Sequence, residues 1–288
     1  MAKKTPTNEG KAVINDKKLS INPSTIKILQ NFSKICDYFE RDDEQCIKIS
    51  NVSQDLFAFY IPDENDIFLN SPHFAISDLK NFINIVDKFN EKSNIDFTIR
   101  EVSFRQGQKD ITENIVDRFV INGAGTFAKI SAEAPNEVRP FKDGLVMVGE
   151  AFEYVNENKI FMFDITQAQI KSLLDSGRAM KVNELRIGFL DNKFSITAID
   201  ASDDTTDLFG IDFEEEKITI IGDNKDNSII IDVASLSYLY SGDYRVHVCE
   251  GTVMFQFLIP EKDDIRFCYF VGANDKKYNS KWAGGNNE

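Results

Sequence analysis

TQAQIKSLLDSGRAM, residues 166–180, decides the fold. Thr166 is a side chain that caps helices, and Gln169 stands three residues on, where a capping box needs its amide. Ile170, Leu173, Leu174 and Gly177 recur at helical spacing and form one apolar face. Lys171 and Arg178 project together on another side, with Asp175 between them. Three other stretches are built alike. STIKILQNFSKIC (24–36) follows Asn22-Pro23, a cap and then a proline at the first helical position. The others are SDLKNFINIVDKF (77–89) and the shorter DVASLSYLYSG (232–242). Ile26-Lys27-x-Leu29, Leu79-Lys80-x-Phe82 and Ile170-Lys171-x-Leu173 share one pattern; the fourth reads Val233-Ala234-x-Leu236, with alanine in place of lysine. Lys171 follows Lys27 by half of the 288-residue chain, and Ala234 follows Lys80 by a similar step. A period of this kind implies two similar halves.

Between the helices run short strand-like segments: CIKIS (46–50), LFAFYI (56–61), IDFTI (95–99), DRFVI (117–121), KIFMF (159–163), LRIGF (185–189), KFSITAI (193–199), KITII (217–221), NSIII (227–231), YRVHV (244–248), VMFQFLI (253–259) and IRFCYFV (265–271). Several alternate apolar and polar residues, as half-buried antiparallel strands do. The 24 phenylalanines suit strand-rich cores. The expected fold is α+β, two similar domains that each alternate a helix with several strands, twice over. The expected boundaries are a polar tail over 1–16, a first domain over 17–134, an extended connector over 135–152 containing Pro135 and Pro140, a second domain over 153–273, and a second polar tail over 274–288.

Composition narrows the chemistry. Hydrophobic residues make up 42% and charged residues 28%, enough for a real core. With 33 basic against 47 acidic residues the net charge is −14, which argues against coating nucleic acid over the whole surface. It leaves room for cations gathered on one face. Cys36, Cys46, Cys249 and Cys268 form no C-x-x-C pair and read as free thiols of a reducing cytoplasm. No apolar run approaches the roughly 18 residues of a membrane span. His73 and His247 accompany no nucleophile motif, so no catalytic residue is assigned. INGAGTF (121–127) precedes another strand rather than a helix, and reads as a hairpin turn, not a phosphate loop. DNKDN (223–227) and ASDDTTD (201–207) lack the ligand pattern of a calcium loop and read as turns; no metal or cofactor is expected.

The helical cations remain. Lys27, Asn31 and Lys34 stand at i, i+4, i+7; Lys80 and Asn84 share a face with Lys88 near; Lys171 and Arg178 flank Asp175. On one helix such a stripe is a solvated flank. Repeated on three, it forms a common positive strip on an acidic protein, suited to loose contact with phosphates.

At these residues the chain resembles the DNA sliding clamps, most closely those of T4-type bacteriophages. The resemblance rests on KLSINPSTIKILQNF, DLKNFINIV, ITQAQIKSLLDSGRAMKVNELRIGFLDNKFSI and SGDYRVHV, and on their spacing over most of residues 18–271. It implies clamp domains built of repeated β-α-β-β-β units and a homotrimeric ring around double-stranded DNA. It also implies an ATP-driven clamp loader, a tethered DNA polymerase, service to late-transcription factors, and action in the cytoplasm of an infected bacterial host. Carried over by position, Lys27, Lys34, Lys80, Lys88, Lys171, Arg178 and Lys181 face DNA, and Phe141, Leu145, Val146, Met147 and Val148 receive partner peptides. TFAKIS (126–131) then meets a strand near DLFGID (207–212) of the next subunit. Two alternatives compete. One is a viral structural or assembly protein with a strand-rich acidic body, and the other an enzyme using paired carboxylates such as Asp203 and Asp204.

Overall fold

A computed structural model describes residues 11–12, 20–41, 44–89, 94–106, 109–123, 125–138, 140, 145–190, 193–199, 209–221, 227–259 and 265–274. In chain order the elements begin with β1 (Lys11–Ala12), α1 (Pro23–Phe32), β2 (Phe39–Arg41), β3 (Ile47–Ser50), β4 (Leu56–Tyr60), α2 (Ile67–Asn70), β5 (Phe74–Ile76) and α3 (Leu79–Val86). There follow β6 (Asn94–Gln106), β7 (Lys109–Asn122), β8 (Phe127–Ser131), α4 (Pro135–Val138), α5 (Val148–Asn158), β9 (Lys159–Ile165) and α6 (Gln167–Met180). The chain closes with β10 (Glu184–Leu190), β11 (Lys193–Ile199), β12 (Phe209–Phe213), β13 (Ile218–Ile220), β14 (Ser228–Asp232), a 3-10 turn (Val233–Tyr238), β15 (Tyr244–Cys249), β16 (Thr252–Phe257) and β17 (Phe267–Gly272). The β-α-β-β-β order recurs as β5-α3-β6-β7-β8, β9-α6-β10-β11-β12 and β14-(3-10)-β15-β16-β17. Around α1 the following strands β2, β3 and β4 repeat it.

The chain divides into two compact units. The first comprises Met1–Ile49 and Ile61–Gly144, the second Ser50–Tyr60 and Leu145–Glu288. In the first, β6, β7 and β8 form an antiparallel sheet with β1 at its edge, and β2 pairs with β3 and β5. Its core is a phenylalanine cluster. Phe39, Phe68, Phe74, Phe82 and Phe119 meet largely edge to face, which suits the charge distribution of aromatic rings. The turn after β7 is the hairpin the glycines suggested: Gly125 adopts φ 81 and Gly123 donates its N–H to the Thr126 carbonyl.

In the second unit β13, β9, β15, β16, β17 and β4 are successive antiparallel neighbours, and β12, β11, β10 and β14 form a second sheet. Register puts Phe161, Phe163, Val246, Phe255 and Tyr269 on one face of the first sheet. Phe161 and Phe163 there meet Phe194 and Phe213 of the second sheet, which buries the core between them.

Three features depart from expectation. The segment Ser50–Tyr60 groups with the second unit although it lies inside 17–134, because β4 pairs with β17 from Phe267↔Tyr60 to Val271↔Leu56. The connector is not extended throughout: it carries α4 and the start of α5. The reason is burial. Val148, Ala151 and Val155 are buried, and the Phe152 ring packs edge-on against Phe59 and Phe270. Those two rings lie on the face of the sheet opposite the Phe161–Phe194 core, so α5 covers an apolar surface that water would otherwise wet. The fourth helix, finally, is a 3-10 turn of six residues rather than an α-helix.

Candidate nucleic-acid and partner interfaces

In the first unit α1 and α3 lie side by side, joined by a hydrogen bond from Gln30 Nε2 to Asp87 Oδ2 of 3.1 Å. Both begin on short polar caps. Asn22 accepts from the Ser24 N–H, and Asp78 accepts from the Asn81 N–H. Their buried faces present Ile28, Leu29 and Phe32 on α1 and Leu79, Phe82 and Ile83 on α3. The outward faces carry Lys27 and Lys80, with Lys34 just past the end of α1 and Lys88 just past the end of α3, all exposed. Asn31 does not join them, contrary to the i, i+4, i+7 reading. It is buried, and Lys34 Nζ donates to its Oδ1 at 3.0 Å. Lys80 Nζ bonds Asp37 Oδ2 at 2.9 Å.

In the second unit α6 starts on the predicted capping box, with Thr166 and Gln169 bonded reciprocally. Ile170, Leu173 and Gly177 are buried, while Lys171, Asp175 and Arg178 are exposed. Lys181 ends the helix in the left-handed conformation, φ 59, and is also exposed. The 3-10 turn lies against α6 and shows Ala234, not a cation, to solvent. On β15, just beyond the turn, the Arg245 guanidinium bonds both oxygens of Asp164 on the neighbouring strand.

The partner residues read from sequence scatter. Phe141 lies outside the described residues. Leu145 and Val146 are half-buried, Met147 is 40% exposed at the N-cap of α5, and Val148 is buried under that helix. The second unit also holds a polar cleft of about 160 Å³ that sequence reading did not find. It is lined by Asn51 and Asp55 of the turn before β4, by Asp232, Ala234 and Tyr238 around the 3-10 turn, and by Ala273 after β17. These come from three distant segments, and no local pattern marks them. Val52, in the same turn, is 70% exposed. Among the described residues the expected subunit strands are outermost in their sheets, β8 beside β7 and β12 beside β11. On β8, Phe127 is 69% exposed with Lys129 Nζ 5.9 Å from its ring centroid.

The titratable groups inside are structural in setting. Burial, helped by the nearby Lys159 charge, lowers the His247 pKa to about 4. Burial pushes the Cys249 thiol up to about 12 and also raises the Cys268 thiol well above its usual range. Burial also raises the Asp66 carboxyl, although it accepts bonds from Asn22 N–H, Phe68 N–H and the Thr25 hydroxyl. Among the described residues no group of three or more His, Cys, Asp or Glu is placed to hold a metal ion. Asp203, Asp204 and most of DNKDN lie outside those residues.

No protein-family model and no curated protein matches the sequence. Solved structures do resemble the fold. The PCNA of Thermococcus kodakaraensis superposes with a TM-score of 0.52 at 10% identity, over 88% of this chain and 98% of that one. The Proliferating Cellular Nuclear Antigen of Entamoeba histolytica gives 0.51 at 8% identity, over 87% and 94%. The DNA polymerase III subunit beta of Borrelia burgdorferi gives 0.53 at 12% identity, over 92% of this chain and 66% of that one. The chain therefore has the sliding-clamp fold.

Proposed function

We propose that this chain is a DNA sliding clamp, a ring that encircles duplex DNA and tethers a replicative polymerase. One observation carries the reading. On a clamp-fold chain of net charge −14, each unit sets exposed cations on its helices: Lys27, Lys34, Lys80 and Lys88 in the first, Lys171, Arg178 and Lys181 in the second. Scattered cations attract phosphates through counterion release without reading bases. The acidity of the remainder disfavours DNA on the wrong face.

The finer reading is a homotrimer of the T4-type phage kind, closed by an ATP-driven loader, acting in the cytoplasm of an infected bacterium and also serving late transcription. That β8 and β12 are outermost strands supports their pairing between successive subunits, a head-to-tail contact that closes into a ring. The cleft beside Asn51 and Asp55, with Leu145, Val146 and the exposed Met147, is the surface we assign to partner peptides.

A cognate polymerase and loader should extend primed circular DNA further when the protein is present. The Lys27→Glu, Lys80→Glu, Lys171→Glu triple variant should lose that gain while sedimenting as three subunits. Undiminished extension with the triple variant would refute the DNA face, and a firm monomer at high concentration would refute the ring.

A further inference from the structure

The helix layer of the first unit carries carboxylates among its lysines, and each has a partner. Asp78 caps α3, Asp87 accepts from Gln30, and Asp37 accepts from Lys80. Asp37 is also anchored on its backbone side, since its carbonyl accepts from the N–H of Leu79, the first residue of α3, at 2.8 Å. It thus sits at the positive end of that helix, which favours its charge. Its carboxylate reaches Lys80 Nζ at 2.9 Å, with the two side chains 47% and 63% exposed. Among the described residues, Lys27, Lys88, Lys171, Arg178 and Lys181 have no such ion pair.

We propose that Asp37 is a built-in counter-anion that tempers the grip of Lys80 on DNA. A phosphate oxygen approaching Lys80 competes with a carboxylate already in place. Lys80 then releases less than one counterion's worth of free energy on contact, and the first unit holds the backbone more loosely than its count of lysines implies. Loose holding suits a surface that must move along DNA. The proposal rests on the DNA-facing reading above.

The test uses the full chain and a fluorescent duplex oligonucleotide, with affinity followed by anisotropy across a salt series. Exposed ion pairs are weak, so Asp37→Asn should tighten binding roughly two- to fivefold and steepen the log K against log salt slope by up to about 0.9. Any added positive charge helps DNA binding somewhat, so the decisive comparison is the same substitution in a Lys80→Gln background. There the gain should largely vanish. An equal gain in both backgrounds, or none in either, overturns the role of Asp37. Should Asp37→Asn unfold α3, Asp37→Ser keeps a short polar side chain and gives the same comparison. Lys27→Gln and Lys171→Gln serve as controls for the underlying reading. If neither weakens binding, the DNA face itself is wrong; if both do and Asp37→Asn changes nothing, only the Asp37 proposal falls.

Discussion

Replacing Gly177 with alanine pits two effects of similar size against each other. Gly177 is inside α6 and buried. On an exposed helix, glycine to alanine is worth about 1 kcal/mol in favour of the helix. Here a Cβ would stand 3.0 Å from Val233 Cγ1 and 3.4 Å from Cγ2. Val233 is itself 5% exposed and opens the 3-10 turn, so it has little room to retreat. Overpacking of this kind costs about 1–3 kcal/mol. The expected net is a loss of roughly 1 kcal/mol in the opening free energy of α6, read from hydrogen exchange of its amides. In a Val233→Ala background the obstructing methyls are gone, and the same substitution should stabilise α6 by about 1 kcal/mol. The coupling between the two sites is then about 1–3 kcal/mol. A coupling below about 0.5 kcal/mol would refute the claim that Gly177 exists to admit Val233, because that value marks independent sites.

Three further outcomes are expected. Thr166→Ala removes the acceptor for the Gln169 N–H and should weaken α6 by about 1 kcal/mol, seen as faster exchange confined to its first turn. His247 is depressed from 6.5 to about 4, so the unfolded chain binds the extra proton first as pH falls; its contribution is full above about 6.5 and is lost toward 4, on the order of 3 kcal/mol. Denaturant midpoints measured across that window should slope less in His247→Gln, while Asp66, raised by burial, contributes a slope of opposite sign in both proteins. Under native conditions at neutral pH a thiol reagent should modify Cys36, which is half-buried, well before Cys46, Cys249 and Cys268, which are buried, and mass spectrometry of timed samples would show any other order.

Local chemistry made most elements legible. The capping box at Thr166 and the Asn22-Pro23 start were readable because each involves residues within one helical turn. All the named strand segments coincide with strands in the structure, since alternation records which side faces a core. The connector was misread for a complementary reason. VGEAFEYVNEN has an apolar face but no side-chain cap at Met147, so nothing local marks where a helix begins. It becomes α5 because Phe59 and Phe270, far along the chain in both directions, offer rings for Phe152 to cover. Asn31 was placed on the lysine stripe by spacing alone, and its neighbours bury it.

By itself, the sequence determined four helical sites, a strand-rich body, a half-chain period and an acidic protein with a few helical lysines. Those properties live in short windows or in sums over the chain. Only the tertiary structure decided that Ser50–Tyr60 belongs with the second unit, that Asp37 holds Lys80, and that Asn51, Asp55, Asp232 and Ala273 border one cleft. Each of these is a meeting of residues 40 or more positions apart, and such meetings are set by how sheets pair and pack rather than by any stretch that can be read alone.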